Sequence, residues 1–324
     1  MTHAIRFHQT GGPEVLRWEE VSVAAPGPGE ARVKHGAVGL NFIDTYHRTG
    51  LYPVPLPSGI GLEGAGTVEA VGPGVTGVAP GDRVAYAGGP LGAYSEARLI
   101  PADRLVKLPD NISFTTGAAM MLQGLTAAYL LRRTYPVQAG DTVLIHAAAG
   151  GVGLIACQWA KALGATVIGT VSTEAKAALA QAHGCDHPIL YTRENFAQRV
   201  REITGGAGVP VVYDGIGKDT FAGSLDSLRP RGLMVSFGNA SGPVGLIDPL
   251  ILSQKGSLFF TRPTLMHYTA QRADLDALAG ELLAMVGSGR VKIEVNQTFA
   301  LQEAAAAHIA LESRQTTGST VLVP

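Results

Sequence analysis

Cysteine is almost missing from this chain: Cys157 and Cys185 are the only two in 324 residues. Two thiols exclude a disulfide framework and any four-cysteine zinc site. Charge is sparse too, with Asp, Glu, Lys and Arg making up 16% of the sequence, against about 25% in soluble proteins at large. Neither sign dominates, since 25 Lys and Arg face 26 Asp and Glu for a net charge of −1. Without a basic surplus there is little to hold a phosphate polymer or an anionic bilayer, so a small molecule is the expected partner, not nucleic acid or membrane. The first twelve residues lack the apolar core and small-residue cleavage site of a secretory signal, which makes a cytoplasmic protein the expectation. One stretch, residues 142–160, runs 19 residues without a charged side chain. Three glycines interrupt it, and a doubly covered parallel strand followed by a turn and a buried helix accounts for the same run.

Glycine, by contrast, is plentiful at 42 residues, and hydrophobic residues reach 46%. Length and apolar content together suggest two domains with sizeable cores. In the first third, Gly and Pro punctuate short β-like segments at 4–7, 15–21, 30–36, 66–71, 83–87 and 95–99, the texture of an antiparallel, barrel-like domain. The pattern turns helical at 123–135. From Asp141 onward apolar runs alternate with amphipathic ones, placing strands at 142–147, 166–171, 188–190, 209–213, 232–237 and 257–261. Helices are expected between them at 151–163, 174–183, 194–204 and 219–228. Repeated βαβ units predict an α/β fold, a doubly wound parallel sheet with its ligand crevice at the carboxyl ends of the strands. A helical stretch at 271–287, one more strand and a helix are expected to return to the first domain. The expected boundaries are therefore 1–124, 125–265 and 266–324.

The sharpest local signal is the turn Ala148-Ala149-Gly150-Gly151-Val152-Gly153, set between a strand and a helix. Glycine there lets backbone N–H groups approach a pyrophosphate, and the helix N-terminus adds unpaired donors and a positive dipole end. Ala148 stands where the first glycine of G-x-G-x-x-G would be. Cofactor choice turns on the end of the next strand, where an NAD enzyme usually places an acid for the ribose hydroxyl. Here Ser172 and Thr173 are followed by Glu174 and Lys176. Hydroxyls beside an ammonium suit a 2′-phosphate and favour NADPH. The same residues also read as a helix cap and a solvated helix face, and the two readings are compatible.

From Gly140 and Asp141 through Leu144, Ala148 to Gly151, Gly153, Gln158 and Lys161, the chain resembles the signature of the quinone oxidoreductase and zeta-crystallin branch of the medium-chain dehydrogenase/reductases. Gly61-Leu62-Glu63-Gly64-Ala65-Gly66, Gly81-Asp82-Arg83-Val84 and the run from Val38 to Asp44 resemble the GroES-like domain of that superfamily. The resemblance covers nearly the whole chain. It implies a Rossmann NADP-binding domain, a GroES-like β-barrel-type catalytic domain, and a homodimer paired along the edge strand at 257–261. Zinc-dependent relatives carry a ligating Cys where Asn41 stands and a His where Leu62 stands. Neither side chain here replaces its counterpart, and the cysteine-rich lobe of those relatives is absent between Tyr86 and Pro109.

Without a metal the chemistry narrows. An alkoxide has a conjugate acid about as weak as water, near pKa ~15.7, and zinc supplies its stabilisation. Hydride addition to a quinone releases a phenolate-like oxygen of pKa about 10, a difference of roughly 8 kcal/mol that the site need not supply. Metal-free, NADPH-dependent quinone reduction is the expected activity. Reduction of an activated alkene, or a non-enzymatic crystallin-like or nucleic-acid-binding role, is the alternative. Candidate groups at the reacting centre are Asn41, Tyr46 and Tyr52. Asp44 also reads as an i,i+4 partner of Arg48, and His47 as solvated. By resemblance, Asn41, Phe42, Tyr46 and Tyr129 lie near the nicotinamide, with Gly150, Gly151 and Val152 at the pyrophosphate. Ser172, Thr173, Lys176 and Tyr191 surround the adenosine phosphate. Gly217, Phe237, Gly238, Asn239, Phe259, Phe260 and Thr261 line the strand ends, and Arg314 reaches the cofactor from the tail. Each has a packing alternative: Gly217 as a turn, the phenylalanines as core, Tyr191 as a loop anchor, Arg314 in a surface ion pair. Asp214 reads as a cap.

Overall fold

The computed structural model describes residues 2–324, with Met1 outside them. Two units can be drawn. One takes residues up to Leu125 together with Thr269–Leu283 and Ile293–Pro324, and the other takes Thr126–Tyr268 and Ala284–Lys292.

Strand Glu30–Leu40 organises the first unit. It buries Ala31, Val33 and His35 in alternation and then every residue from Ala37 to Leu40. Period-2 patterning thus gives way to a segment covered on both faces. Antiparallel partners are Glu63–Val71, Ala97–Pro101 and Ser319–Val323. The expected strand ended at Gly36, which had the look of a stop; the register instead slips between His35 and Ala37 and the strand runs on, as at a bulge. Arg83–Ala87, Val106–Lys107 and Val295–Ala300 complete a seven-stranded sheet, beside a three-stranded one of Arg17–Val21, Thr2–Phe7 and Ser58–Gly59. Ile5, Phe7, Val33, Val38, Tyr94 and Leu322 meet in its core. The closing strand Ser319–Val323 was not anticipated.

In the second unit six strands lie parallel in the order His187–Leu190, Thr166–Val171, Thr142–Ile145, Val209–Asp214, Leu228–Ser236 and Phe259–Thr261. This is the doubly wound order, and strand direction of progress reverses between Thr142–Ile145 and Val209–Asp214. The uncharged run at 142–160 resolves into a central strand and the first turns of helix Gly151–Ala162. Among the described residues no helix is long and apolar enough to cross a membrane. Some expected boundaries move. The helix expected at 123–135 is Phe114–Tyr129 followed by a π-helical turn, Leu130–Thr134. The strand expected from Gly232 begins at Leu228, because Pro230 and Gly232, normally breakers, sit where the ladder to Val209–Asp214 is already irregular. The edge strand is shorter than expected, Phe259–Thr261.

Candidate active site

Asn41 precedes helix Phe42–Thr49 with extended backbone, the geometry of an N-cap. Its N–H donates to Asp44 Oδ2 at 2.9 Å. Its amide is turned away from the helix into a buried line: Nδ2 lies 2.6 Å from Glu63 Oε2, and Oδ1 lies 3.1 Å from Gln123 Nε2. Gln123 continues to Ser319 Oγ at 2.8 Å, and Glu63 Oε1 accepts from the Leu122 N–H at 2.7 Å. Burial pushes the Glu63 carboxyl up to about 8. Leu62, beside it, is a buried hydrocarbon. Sequence reasoning missed Glu63 and Gln123 as partners of Asn41, and Ser319 as the partner of Gln123; the available signal was a lone carboxylate in the otherwise small and apolar run from Gly61 to Gly66.

Tyr46 is buried, and its ring meets Tyr52 edge-on at 5.2 Å and Phe42 at 6.4 Å. The Tyr52 N–H donates to Tyr46 O at 3.0 Å, which folds the segment after the helix back over it. Two expectations for this helix are corrected. Asp44 does not pair with Arg48: it accepts from the Tyr94 hydroxyl at 2.9 Å, while Arg48 grips Glu312 with two donors, at 2.7 and 3.0 Å, and lies 2.9 Å from His308 Nδ1. Asp44 Oδ2 is taken by the Asn41 N–H and the Tyr94 hydroxyl, and the tail offers Arg48 a bidentate carboxylate instead. His47 is half-buried with Nδ1 unpartnered, and burial holds it below the usual histidine range.

In the second unit the turn after Thr142–Ile145 reaches Gly150, which caps helix Gly151–Ala162. The first intrahelical bond is from Leu154 N to Gly150 O, so the N–H groups of Gly151, Val152 and Gly153 precede it and are the donors an anion would use. Gly153 is required by contact: a Cβ there would stand 2.2 Å from Ala147 O and 2.8 Å from Ala148 Cα. This cradle fits a dinucleotide pyrophosphate. His146, just before it, bridges Thr170 Oγ1 and Ser224 Oγ at 2.8 and 2.9 Å.

At the end of Thr166–Val171, Thr173 Oγ1 accepts from Lys176 N at 3.3 Å and caps helix Glu174–Ala182. Ser172 and Lys176 are half-buried, and Tyr191 is exposed beside them, its N–H bonded to Val171 O. Glu174, the acid that weighs against a phosphate, is paired with Arg193 at 3.0 Å. Asp214 is a cap: it accepts from Ile216 N, Gly217 N, Thr220 Oγ1 and Ser224 Oγ. The loops after the fourth and fifth strands interlock through Ala240 N to Gly215 O and Ser241 N to Ile216 O, which brings Gly217 together with Phe237, Gly238 and Asn239. Tyr129 is buried and stacked on Tyr268 at 4.4 Å. On the edge strand Phe259 is exposed, Phe260 packs edge-on to Phe221 at 5.9 Å, and Thr261 pairs with Val235. Arg314 follows helix Ala304–Glu312 with left-handed backbone, φ 59°. Among the described residues no group of three or more His, Cys, Asp or Glu is placed to hold a metal ion.

Residues 27–110 match the family described as alcohol dehydrogenase GroES-like domain, and residues 151–284 the one described as zinc-binding dehydrogenase. Asn41 and Leu62, which stand where the resemblance puts the Cys and His of zinc-dependent relatives, lie in the first of these two matches. The quinone oxidoreductase of Pseudomonas aeruginosa is 59% identical over 325 residues, covering 100% of both chains. A 2-haloacrylate reductase from Burkholderia is 51% identical over 334 residues, covering 100% of this chain and 99% of its own. Among solved structures, Escherichia coli quinone oxidoreductase complexed with NADPH superposes with a TM-score of 0.98 at 52% identity, over 99% of this chain and 100% of that one. Fold, phosphate turn and full-length similarity converge, and the chain belongs to the quinone oxidoreductase family of the medium-chain dehydrogenase/reductases.

Proposed function

We propose that this protein reduces quinones with NADPH and that the reaction calls on no metal ion. The observation that carries this reading is the pair of positions at which zinc-dependent relatives hold their metal. Asn41 has its amide committed to Glu63 and Gln123, and Leu62 has no donor atom. Bound NADPH supplies the hydride. The chain's own work is to hold the cofactor, orient the acceptor and assist the oxygen that becomes anionic. Since that oxygen resembles a phenolate of pKa about 10, hydrogen-bond donors suffice where an alkoxide would need a Lewis acid. Asn41, Tyr46 and Tyr52 are the donors offered to the reacting groups, with Phe42 and Tyr129 as apolar walls.

Gly150, Gly151 and Val152 take the pyrophosphate at the helix N-terminus. Ser172, Thr173, Lys176 and Tyr191 take the adenosine phosphate, with Arg314 as a further cofactor ligand. Gly217, the loop from Phe237 to Asn239 and the strand Phe259 to Thr261 line the sheet's carboxyl ends. Because Arg193 occupies Glu174, no unpaired carboxylate opposes a 2′-phosphate there. Lys176→Ala is expected to weaken NADPH by about 10- to 100-fold, the loss of one charge-assisted contact, while NADH changes little. Titrating both cofactors by fluorescence checks this; an equal loss for both removes Lys176 from phosphate recognition. An activated alkene is the second acceptor class, favoured by the similarity to a 2-haloacrylate reductase. A stopped-flow comparison of quinones with enones ranks the two.

The protein is read as a cytoplasmic homodimer. Both thiols are free and buried, in keeping with a reducing compartment. The edge strand Phe259–Thr261 has open hydrogen-bonding groups, and Phe259, Leu246 and Leu250 present exposed apolar side chains in the same unit.

A further inference from the structure

Glu63 is fully buried on strand Glu63–Val71, and the fold makes room for its carboxyl by omitting a side chain opposite. At Gly39 a Cβ would stand 2.3 Å from Glu63 Oε2 and 2.2 Å from Ala118 O. Oε1 accepts from Leu122 N, which leaves Oε2, 2.6 Å from the Asn41 amide, as the atom whose role is open. That distance is short for an N–H donor and ordinary for an O–H donor.

The far end of the line speaks to the same question. Ser319 Oγ lies 2.8 Å from Gln123 Oε1 and 3.1 Å from Ala119 O, two acceptors, yet a hydroxyl has one hydrogen to give. Turning the amides of Gln123 and Asn41 end for end leaves every heavy-atom position in place and removes the conflict. Ser319 then donates to Ala119 O and accepts from Gln123 Nε2, while Gln123 Oε1 accepts from Asn41 Nδ2. Asn41 Oδ1 now faces Glu63 Oε2 and accepts from it. Every group is satisfied, on the single condition that Glu63 carries a proton.

We propose that Glu63 is a positioning residue for quinone reduction: as a neutral acid it donates to Asn41, fixes that amide in one orientation, and leaves the second Asn41 N–H for the reacting groups. The proposal rests on the reading that places Asn41 at those groups. Burial supports the proton, raising Glu63 to about 8, with the Asp44 carboxyl adding to the effect and the Leu122 N–H opposing it; the opposing Asn41 donor disappears once that amide is turned. The titratable groups facing Glu63 are Asp44, itself raised to about 7 by burial, and the Tyr86 and Tyr94 phenols. His35, bonded to the Tyr86 hydroxyl, is held down to about 4 by burial and so brings no positive charge.

The test is steady-state kinetics with NADPH and a naphthoquinone from pH 6 to 9.5, on folded protein judged by thermal melting. Glu63→Ala is expected to lower kcat about 10- to 100-fold, the scale of a misplaced group, with KM within about threefold. Glu63→Gln is expected to recover most of that loss, since its side-chain N–H donates where the acid O–H did. Wild-type kcat should fall as pH rises through about 8, and the Glu63→Gln profile should stay level there. A Glu63→Gln enzyme as slow as Glu63→Ala, or one that keeps the wild-type alkaline fall, overturns the proposal. Unchanged kcat and KM in Asn41→Ala would instead overturn the placement of Asn41 at the reacting groups, a different failure with a different signature.

Discussion

Gly153→Val is expected to weaken NADPH binding by more than about 100-fold and to destabilise the nucleotide-binding unit by on the order of 3 kcal/mol. The reason is backbone contact. The atoms a side chain would meet, Ala147 O at 2.2 Å and the Ala148 backbone at 2.8 Å, belong to the turn itself and have no rotamer to change. To admit the side chain, helix Gly151–Ala162 must move off the turn, and its leading N–H groups move with it. The donors for a pyrophosphate and the fit of helix to strand are therefore lost together. Calorimetric titration with NADPH and thermal melting check the two halves; a variant with wild-type affinity would detach the pyrophosphate from this turn.

Asp214→Ala is expected to cost about 3–5 kcal/mol, a lowering of the melting temperature by about 10 °C. The Asp214 carboxylate is buried and accepts from two backbone and two hydroxyl donors at 2.7 to 3.0 Å. Removing it strands four donors, of which Gly217 N and Ser224 Oγ are buried. The effect extends further, because Ser224 also meets His146 at the foot of the phosphate turn. Asp214→Asn keeps an acceptor and should fall between the two. A melting temperature for Asp214→Ala within about 2 °C of wild type would show that these bonds contribute little.

What could be read from the sequence follows from how far each interaction reaches along the chain. The phosphate turn was legible because a strand, three glycines and a helix carry the signal within a dozen residues. The parallel sheet was legible because doubly covered strands are apolar on both faces, as in Val209–Asp214, every residue of which is buried. Gly36 was read as a stop because a bulge and a turn ask for the same residue. Asn41 was picked out, yet its partners Glu63 and Gln123 lie 22 and 82 residues away, and no local pattern links them. Arg48 was assigned to Asp44 by helical spacing, whereas the fold supplies Glu312 from 264 residues further on. Helical spacing offered Arg48 one neighbouring carboxylate; tertiary structure provided a bidentate one.

The central claim is that donors of this chain, and not a metal ion, meet the charge that develops on the acceptor. Its most direct test is single-turnover oxidation of bound NADPH by a quinone, followed in a stopped-flow instrument before and after exhaustive chelation, with elemental analysis of the same samples. The rate should be unchanged by chelation in protein containing no stoichiometric metal. A rate lost on chelation and restored by added Zn²⁺ would contradict the account.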